Sequence, residues 1–185
     1  LLLKENKILF FYQELKPFIK NYMLQLQYVS HSPMELNEPE DNEKLRKIGE
    51  NETYISYLIR NDKIQEFIEY INRNRISLST KIKTSIYETN HFLKKKNPSL
   101  IKYSAFFGSI QIFQYLKMNY VKLKPSLMLY AIHGNCPEII HILEYERIEI
   151  NNELLYKCLE ESIKCHHNDI AKYLIDKLEY NVNYQ

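Results

Sequence analysis

Apolar side chains recur at helical spacing along most of the chain. Over residues 7–30 the series Ile8, Phe11, Tyr12, Leu15, Phe18, Ile19, Tyr22 and Met23 predicts an N-terminal helical segment, placed at 1–30. Pro17 interrupts that series, and a residue without an N–H breaks the hydrogen-bond ladder, so a kink or two shorter helices are expected. A polar stretch then opens at His31-Ser32-Pro33 and carries Pro39 with Glu35, Glu38, Glu40, Asp41 and Glu43. Residues 31–52 therefore read as an acidic linker or loop. From about Thr53 the helical texture resumes and continues to the end.

Within that second part the pattern repeats. The segments SAFFGSIQIFQYL from Ser104, AIHGNCPEIIHIL from Ala131 and SIKCHHNDIAKYL from Ser162 superimpose. Taking their first residue as position zero, that position is small: Ser104, Ala131, Ser162. Position +1 is Ala105, Ile132 and Ile163; position −3 is Ile101, Met128 and Leu159. Apolar residues return at +8 (Ile112, Ile139, Ile170), at +9 (Phe113, Ile140, Ala171) and at +12 (Leu116, Leu143, Leu174). Between them lie the turn-compatible pairs Gly108-Ser109, Gly134-Asn135 and His167-Asn168. Each copy predicts helix, tight turn, helix, with one buried stripe per helix and a small residue where the two approach. Ser99 and Ser126 stand at N-cap positions behind Pro98 and Pro125, and Pro137 falls at the first position of a second helix. A fainter copy is placed at Ser56, with Ile64 at +8 and Ile68 at +12. Residues 72–97 do not fit and read as an irregular or enlarged repeat, with a β-leaning run at 75–79 and a helix through Ile82, Ile86 and Leu93.

This offset pattern resembles the ankyrin repeat at the zero, +4, +8, +9 and +12 slots, with Gly108 in the turn-glycine slot and His167 in the histidine slot after it. Lys122-Leu123-Lys124, Glu149-Ile150-Asn151 and, one residue displaced, Asn181-Val182-Asn183 match the ankyrin finger. The runs SIYETNHFLKKKNPSLIKYSAFFGSIQIFQYL and ESIKCHHNDIAKYL further resemble a domain of unknown function that precedes ankyrin repeats in trichomonad protist proteins, over roughly residues 53–180. Two features depart from the family. No Thr-Pro-Leu-His appears, and the glycine that ends the second helix in a left-handed conformation is replaced by Tyr120, Arg147 and Leu178.

The expected architecture is all-α: a solenoid of stacked antiparallel helix pairs, divergent and with short repeats, over 53–185. The resemblance implies a non-catalytic module that binds another protein. The residues assigned to that contact are Lys102, Lys122, Lys124, Leu129, His133, Glu149 and Asn151. Tyr103 and Tyr130, which precede the small position, are expected in seams between stacked pairs. Further repeats of the same chain are expected to stack on residues 153–180, since the last helix would otherwise expose Ile170, Leu174 and Ile175.

Composition adds exclusions. With 25 basic and 23 acidic residues the net charge is +2, too small for whole-molecule attraction to phosphate or anionic lipid. Three Gly and six Pro among 185 residues argue against many short strands. No run of about 18 apolar residues predicts a membrane span. The odd cysteine count without a CxxC pair suits reduced thiols, hence a cytoplasmic or nuclear protein. The chain starts Leu1-Leu2-Leu3-Lys4 without an initiator Met, so a longer native chain is expected.

Candidate chemistry is sparse. Cys158, Cys165, His166 and His167, with Cys136 from the adjacent copy, carry metal-ligand atoms, but their spacing matches no common zinc module. They read as buried small hydrophobes and turn residues, so no metal ligand is assigned. No Gly-rich phosphate loop, GxSxG, HExxH or paired-carboxylate motif appears, so no catalytic or cofactor residue is assigned and the chain reads as a non-enzyme. The one basic concentration, Arg73, Arg75, Lys81, Lys83 and Lys94-Lys95-Lys96 with Tyr87 and Phe92 interleaved, supplies the alternative function: a nucleic-acid-binding helical repeat using residues 73–96.

Overall fold

The computed structural model describes residues 39–183, and all their named elements are helices. Two compact units divide the chain, Leu1–Asp41 and Asn42–Gln185. The N-terminal helical segment expected over 1–30 lies outside the described residues.

The helices are α1 (Pro39–Ile48), α2 (Tyr54–Arg60), α3 (Ile64–Asn74), α4 (His91–Lys96), α5 (Leu100–Phe107), α6 (Ile110–Met118), α7 (Leu127–His133), α8 (Pro137–Tyr145), α9 (Asn152–Lys164) and α10 (Asn168–Asn183). Four helical hairpins result: α2–α3, α5–α6, α7–α8 and α9–α10. Their first helices touch in the order α2, α5, α7, α9, and α3 packs on α6. The predicted pairs at 99–118 and 126–145 therefore lie side by side.

One backbone device recurs. The turn inside each hairpin holds one residue at positive φ: Asp62 (47°), Gly108 (66°), Asn135 (54°) and His166 (59°). In three of them this residue's own N–H and the one after it both reach back to close the helix end. Lys63 N donates to Leu58 O, Cys136 N to Ala131 O and His167 N to Ser162 O, at 2.8–3.0 Å. The second helices end the same way at Arg75, Tyr120 and Arg147, with φ of 51°, 61° and 53°. A left-handed residue other than glycine costs roughly 1–2 kcal/mol. The cost is offset by the closing hydrogen bonds and by the next residue, Ile76, Val121 or Ile148, which packs on the core. The absence of the expected glycines thus leaves the turn geometry intact.

The core follows the template closely. Ser104, Ala131 and Ser162 are fully buried, and each serine hydroxyl donates to a carbonyl three residues back, Ile101 or Leu159. Serine and alanine interchange there because the hydroxyl needs no outside partner. The +8, +9 and +12 residues of all three copies are buried, as are Tyr103 and Tyr130. Pro137 begins α8 as expected.

Six expectations differ from the structure. The fourth copy is out of step by two residues: its turn at Asp62 makes Leu58 the zero position and Phe67 the +9 residue, and Phe67 and Ile71, not Ile64 and Ile68, are the buried residues of α3. The acidic stretch 31–52 contains helix α1, whose last turn carries Arg46 and Lys47. Its end is tied down: Thr89 donates to Gly49 O through both its N–H and its hydroxyl, and buried Asn51 donates to Lys83 O. No helix runs through Ile82 and Ile86; Ile82 N pairs with Pro98 O and Leu100 N with Thr80 O, and only His91–Lys96 is helical. Leu178 stays helical and buried, so Asn181-Val182-Asn183 belongs to α10 instead of forming a third finger. Ile163, at +1 of the last copy, is exposed because no following hairpin covers it among the described residues. Conversely Ile170 and Leu174, expected to lie open, are 7% and 1% exposed, packed between α9 and α10, while Ile175 is open at 42%.

Candidate functional site

Helix α4 brings the irregular segment onto the row of first helices. Asn90 caps it, its side chain accepting from the N–H groups of Phe92 and Leu93 at 3.0 and 3.3 Å. The Phe92 ring then enters an aromatic group: Tyr130 edge-on at 4.9 Å between centroids, Phe106 stacked at 6.1 Å and His133 stacked at 4.4 Å. Phe106 lies against the His133 ring at 4.9 Å, so the three rings make a triangle of mutual contacts.

Lysines flank this platform. Lys96 Nζ lies 5.5 Å from the Phe92 ring centre and Lys102 Nζ lies 5.2 Å from that of Tyr130. Burial, then the charges of Lys124, Lys96 and Lys81, push the Lys102 ammonium below its ordinary range. None of these four cations pairs with a carboxylate among the described residues. Three lysines of the later hairpins do pair: Lys117 with Glu146, Lys157 with Glu153 and Lys164 with Glu160.

Of the residues assigned to partner contact, Lys102, Lys124 and His133 converge here, together with Lys81 and Lys96 from the segment assigned to the nucleic-acid alternative. Leu129 is half-buried against the core, and Lys122 and Glu149 are exposed on the connectors. Asn151 caps α9, its side chain accepting from Leu154 N at 2.9 Å, so its amide oxygen is engaged within the fold. Tyr87 is buried at 7% exposure, which withdraws it as a base-stacking surface.

Farther along the same face, α7 and α9 join three metal-ligand side chains. His133 Nδ1 lies 2.5 Å from Glu161 Oε1 and 3.5 Å from Cys165 Sγ, and Cys165 Sγ lies 3.9 Å from Glu161 Oε1. All three side chains are half-buried. Both the thiol and the carboxylate meet the same ring nitrogen. A nucleophile–base–orienter relay needs them on opposite nitrogens, so this is no catalytic triad. Burial and the Glu161 carboxylate also push the Cys165 thiol up, opposite to an activated nucleophile. Cys136 and Cys158 are core residues whose thiols burial raises to about 11 and about 12. His166 occupies the positive-φ turn position and the His167 ring bonds His133 O at 3.1 Å.

Sequence reading missed the trio because its members stand 28 and 32 residues apart. Laid on the repeat template they occupy +2 of one copy and −1 and +3 of the next, adjacent places once the copies stack. Comparison with protein-family models, with curated proteins and with solved structures finds no match to this chain.

Proposed function

We propose that the chain is a divergent ankyrin-like solenoid that binds another protein, through an acidic segment of that partner seated on the α4–α5–α7 face. The observation that carries the reading is the seating of Lys96 on Phe92 and Lys102 on Tyr130, with Lys124 and Lys81 close enough to disfavour the Lys102 charge, all without carboxylate partners among the described residues. Cations held together at a cost to one another gain most when a carboxylate-rich ligand arrives. The half-buried Phe92 ring, backed by the buried Tyr130, gives that ligand a rigid, partly apolar floor. The row of first helices supports the same reading, because contacting hairpins hold surface residues in fixed register. Within this proposal a further hairpin of the same chain covers Tyr156, Ile163 and Ile175, three of the open apolar residues of the last pair. No helix among the described residues is long and apolar enough to cross a membrane.

The test is affinity capture from cell extract, followed by reconstitution of the purified pair. A one-to-one complex that weakens with added salt and is lost on changing Lys96, Lys102 and Lys124 to Gln supports the proposal. Binding that a single-stranded oligonucleotide mimics, with no protein partner surviving nuclease treatment, replaces it with the nucleic-acid reading.

A further inference from the structure

We propose that His133, Glu161 and Cys165 form a binding site for a thiophilic divalent cation, zinc by its ligand chemistry, that clips the third hairpin to the fourth. One imidazole nitrogen, one carboxylate oxygen and one sulfur all lie within 4.8 Å of one another, contributed by α7 and by one face of α9. Glu161 in the last turn of α9 and Cys165 at its C-cap stand four residues apart, so both lie on the side that meets the end of α7 carrying His133.

The spacing suits the ion. Tetrahedral bonds of about 2.0–2.1 Å to nitrogen, about 2.0–2.2 Å to oxygen and about 2.3 Å to sulfur place such ligand atoms roughly 3.3–3.7 Å apart. The sulfur–nitrogen separation of 3.5 Å meets this and the sulfur–oxygen separation of 3.9 Å nearly does. The nitrogen–oxygen pair, at 2.5 Å, is drawn together by its own hydrogen bond and opens when a cation replaces the shared proton. Water fills the fourth position.

The supporting shell is already rigid. Phe92 and Phe106 both pack on the His133 ring, and the His167 ring bonds the His133 carbonyl, so the imidazole has little freedom to lose. Binding requires the imidazole proton on Nε2 and removes the proton from Cys165, so one proton leaves to solvent per ion bound by the neutral imidazole. No electron transfer takes place.

The proposal shares His133 with the α4–α5–α7 face but does not depend on the partner-binding reading, since Glu161 and Cys165 lie in the seam between hairpins and their variants read metal alone. The full chain, stripped with a chelator, is titrated with cobalt(II) and then with zinc, and helicity is checked in every sample. The expected result is one ion per chain, a thiolate-to-cobalt charge-transfer band that zinc abolishes, and a zinc-dependent rise in the thermal midpoint. Cys165→Ser and His133→Asn should each remove the band while remaining helical. Glu161→Gln should weaken binding more than the roughly 10–100-fold that loss of an outer-shell partner costs. His166→Asn, on the exposed turn, should bind as the parent does. A band that persists in Cys165→Ser, or one that never forms in the folded parent chain, overturns the assignment.

Discussion

At the residue scale the turns between helices are tight enough for one atom to matter. Gly134 has an ordinary φ of −80°, so its backbone tolerates any side chain. Its surroundings do not: a Cβ there would lie 1.8 Å from the carbonyl oxygen of Phe106 in the preceding hairpin. That oxygen belongs to the backbone and cannot step aside without moving α5. Gly108 is the reverse case, with φ of 66° but facing only the Cys136 sulfur at 2.9 Å. Alanine at 108 costs the left-handed penalty of about 1–2 kcal/mol and a small side-chain shift. Gly134→Ala should therefore be the more damaging, exceeding the about 1–3 kcal/mol of ordinary overpacking. Urea unfolding of both variants ranks them, and equal midpoints would mean that neighbouring turns do not touch. Ala131→Leu tests the same closeness inside one hairpin, with an expected loss of about 1–3 kcal/mol.

At the scale of elements, second helices are held by a greasy stripe and by one polar clamp. Leu143 is 1% exposed on α8, and Leu143→Ala should cost about 2–5 kcal/mol in chemical denaturation. The clamp joins α8 to α10: Lys177 and the Tyr173 hydroxyl both donate to Glu144. Burial pushes the Glu144 carboxyl up, but those two donors, with His141 nearby, outweigh it and hold the group below its ordinary range. A depressed carboxylate contributes stability above its unfolded-state value, and that contribution disappears as pH falls through the folded value. Glu144→Gln should lower the thermal midpoint at neutral pH and flatten its decline into acid. Curves that stay parallel at all pH values would remove Glu144 from the clamp. The buried stripe was legible in the sequence because apolar spacing at +8, +9 and +12 reports directly on which side of a helix faces inward. The clamp was not, since Glu144, Tyr173 and Lys177 meet only after α10 folds back. The two-residue slip in the fourth copy, the α2–α3 hairpin, has a related cause. Its turn residue is Asp62, whose side chain accepts the N–H groups of Gln111 and Ile112 at 3.0 Å, and no glycine marks the place.

At the scale of the whole molecule, charge is near balance yet unevenly placed. Net charge averages away the one feature that distinguishes a face, which is why the lysine platform was split in the sequence between two rival readings. Lys102 and Lys124 come from the repeats and Lys81 and Lys96 from the irregular segment; α4 and the Lys81–Ser99 bridge bring them to one place. This arrangement has a consequence for the unbound protein. A lysine whose folded-state value is lowered is a group that the fold prefers uncharged, so at neutral pH its charge opposes folding. Relief comes from removing a neighbour, from raising pH or from screening, which at about 0.15 M salt acts beyond roughly 8 Å. Lys124→Gln should therefore raise the thermal midpoint of the free protein slightly and reduce its gain from added salt, while weakening capture of an acidic partner. An ordinary surface lysine predicts no change in either respect. If Lys124→Gln lowers the midpoint and leaves partner capture untouched, the crowded cations are structural in role and the binding face lies elsewhere.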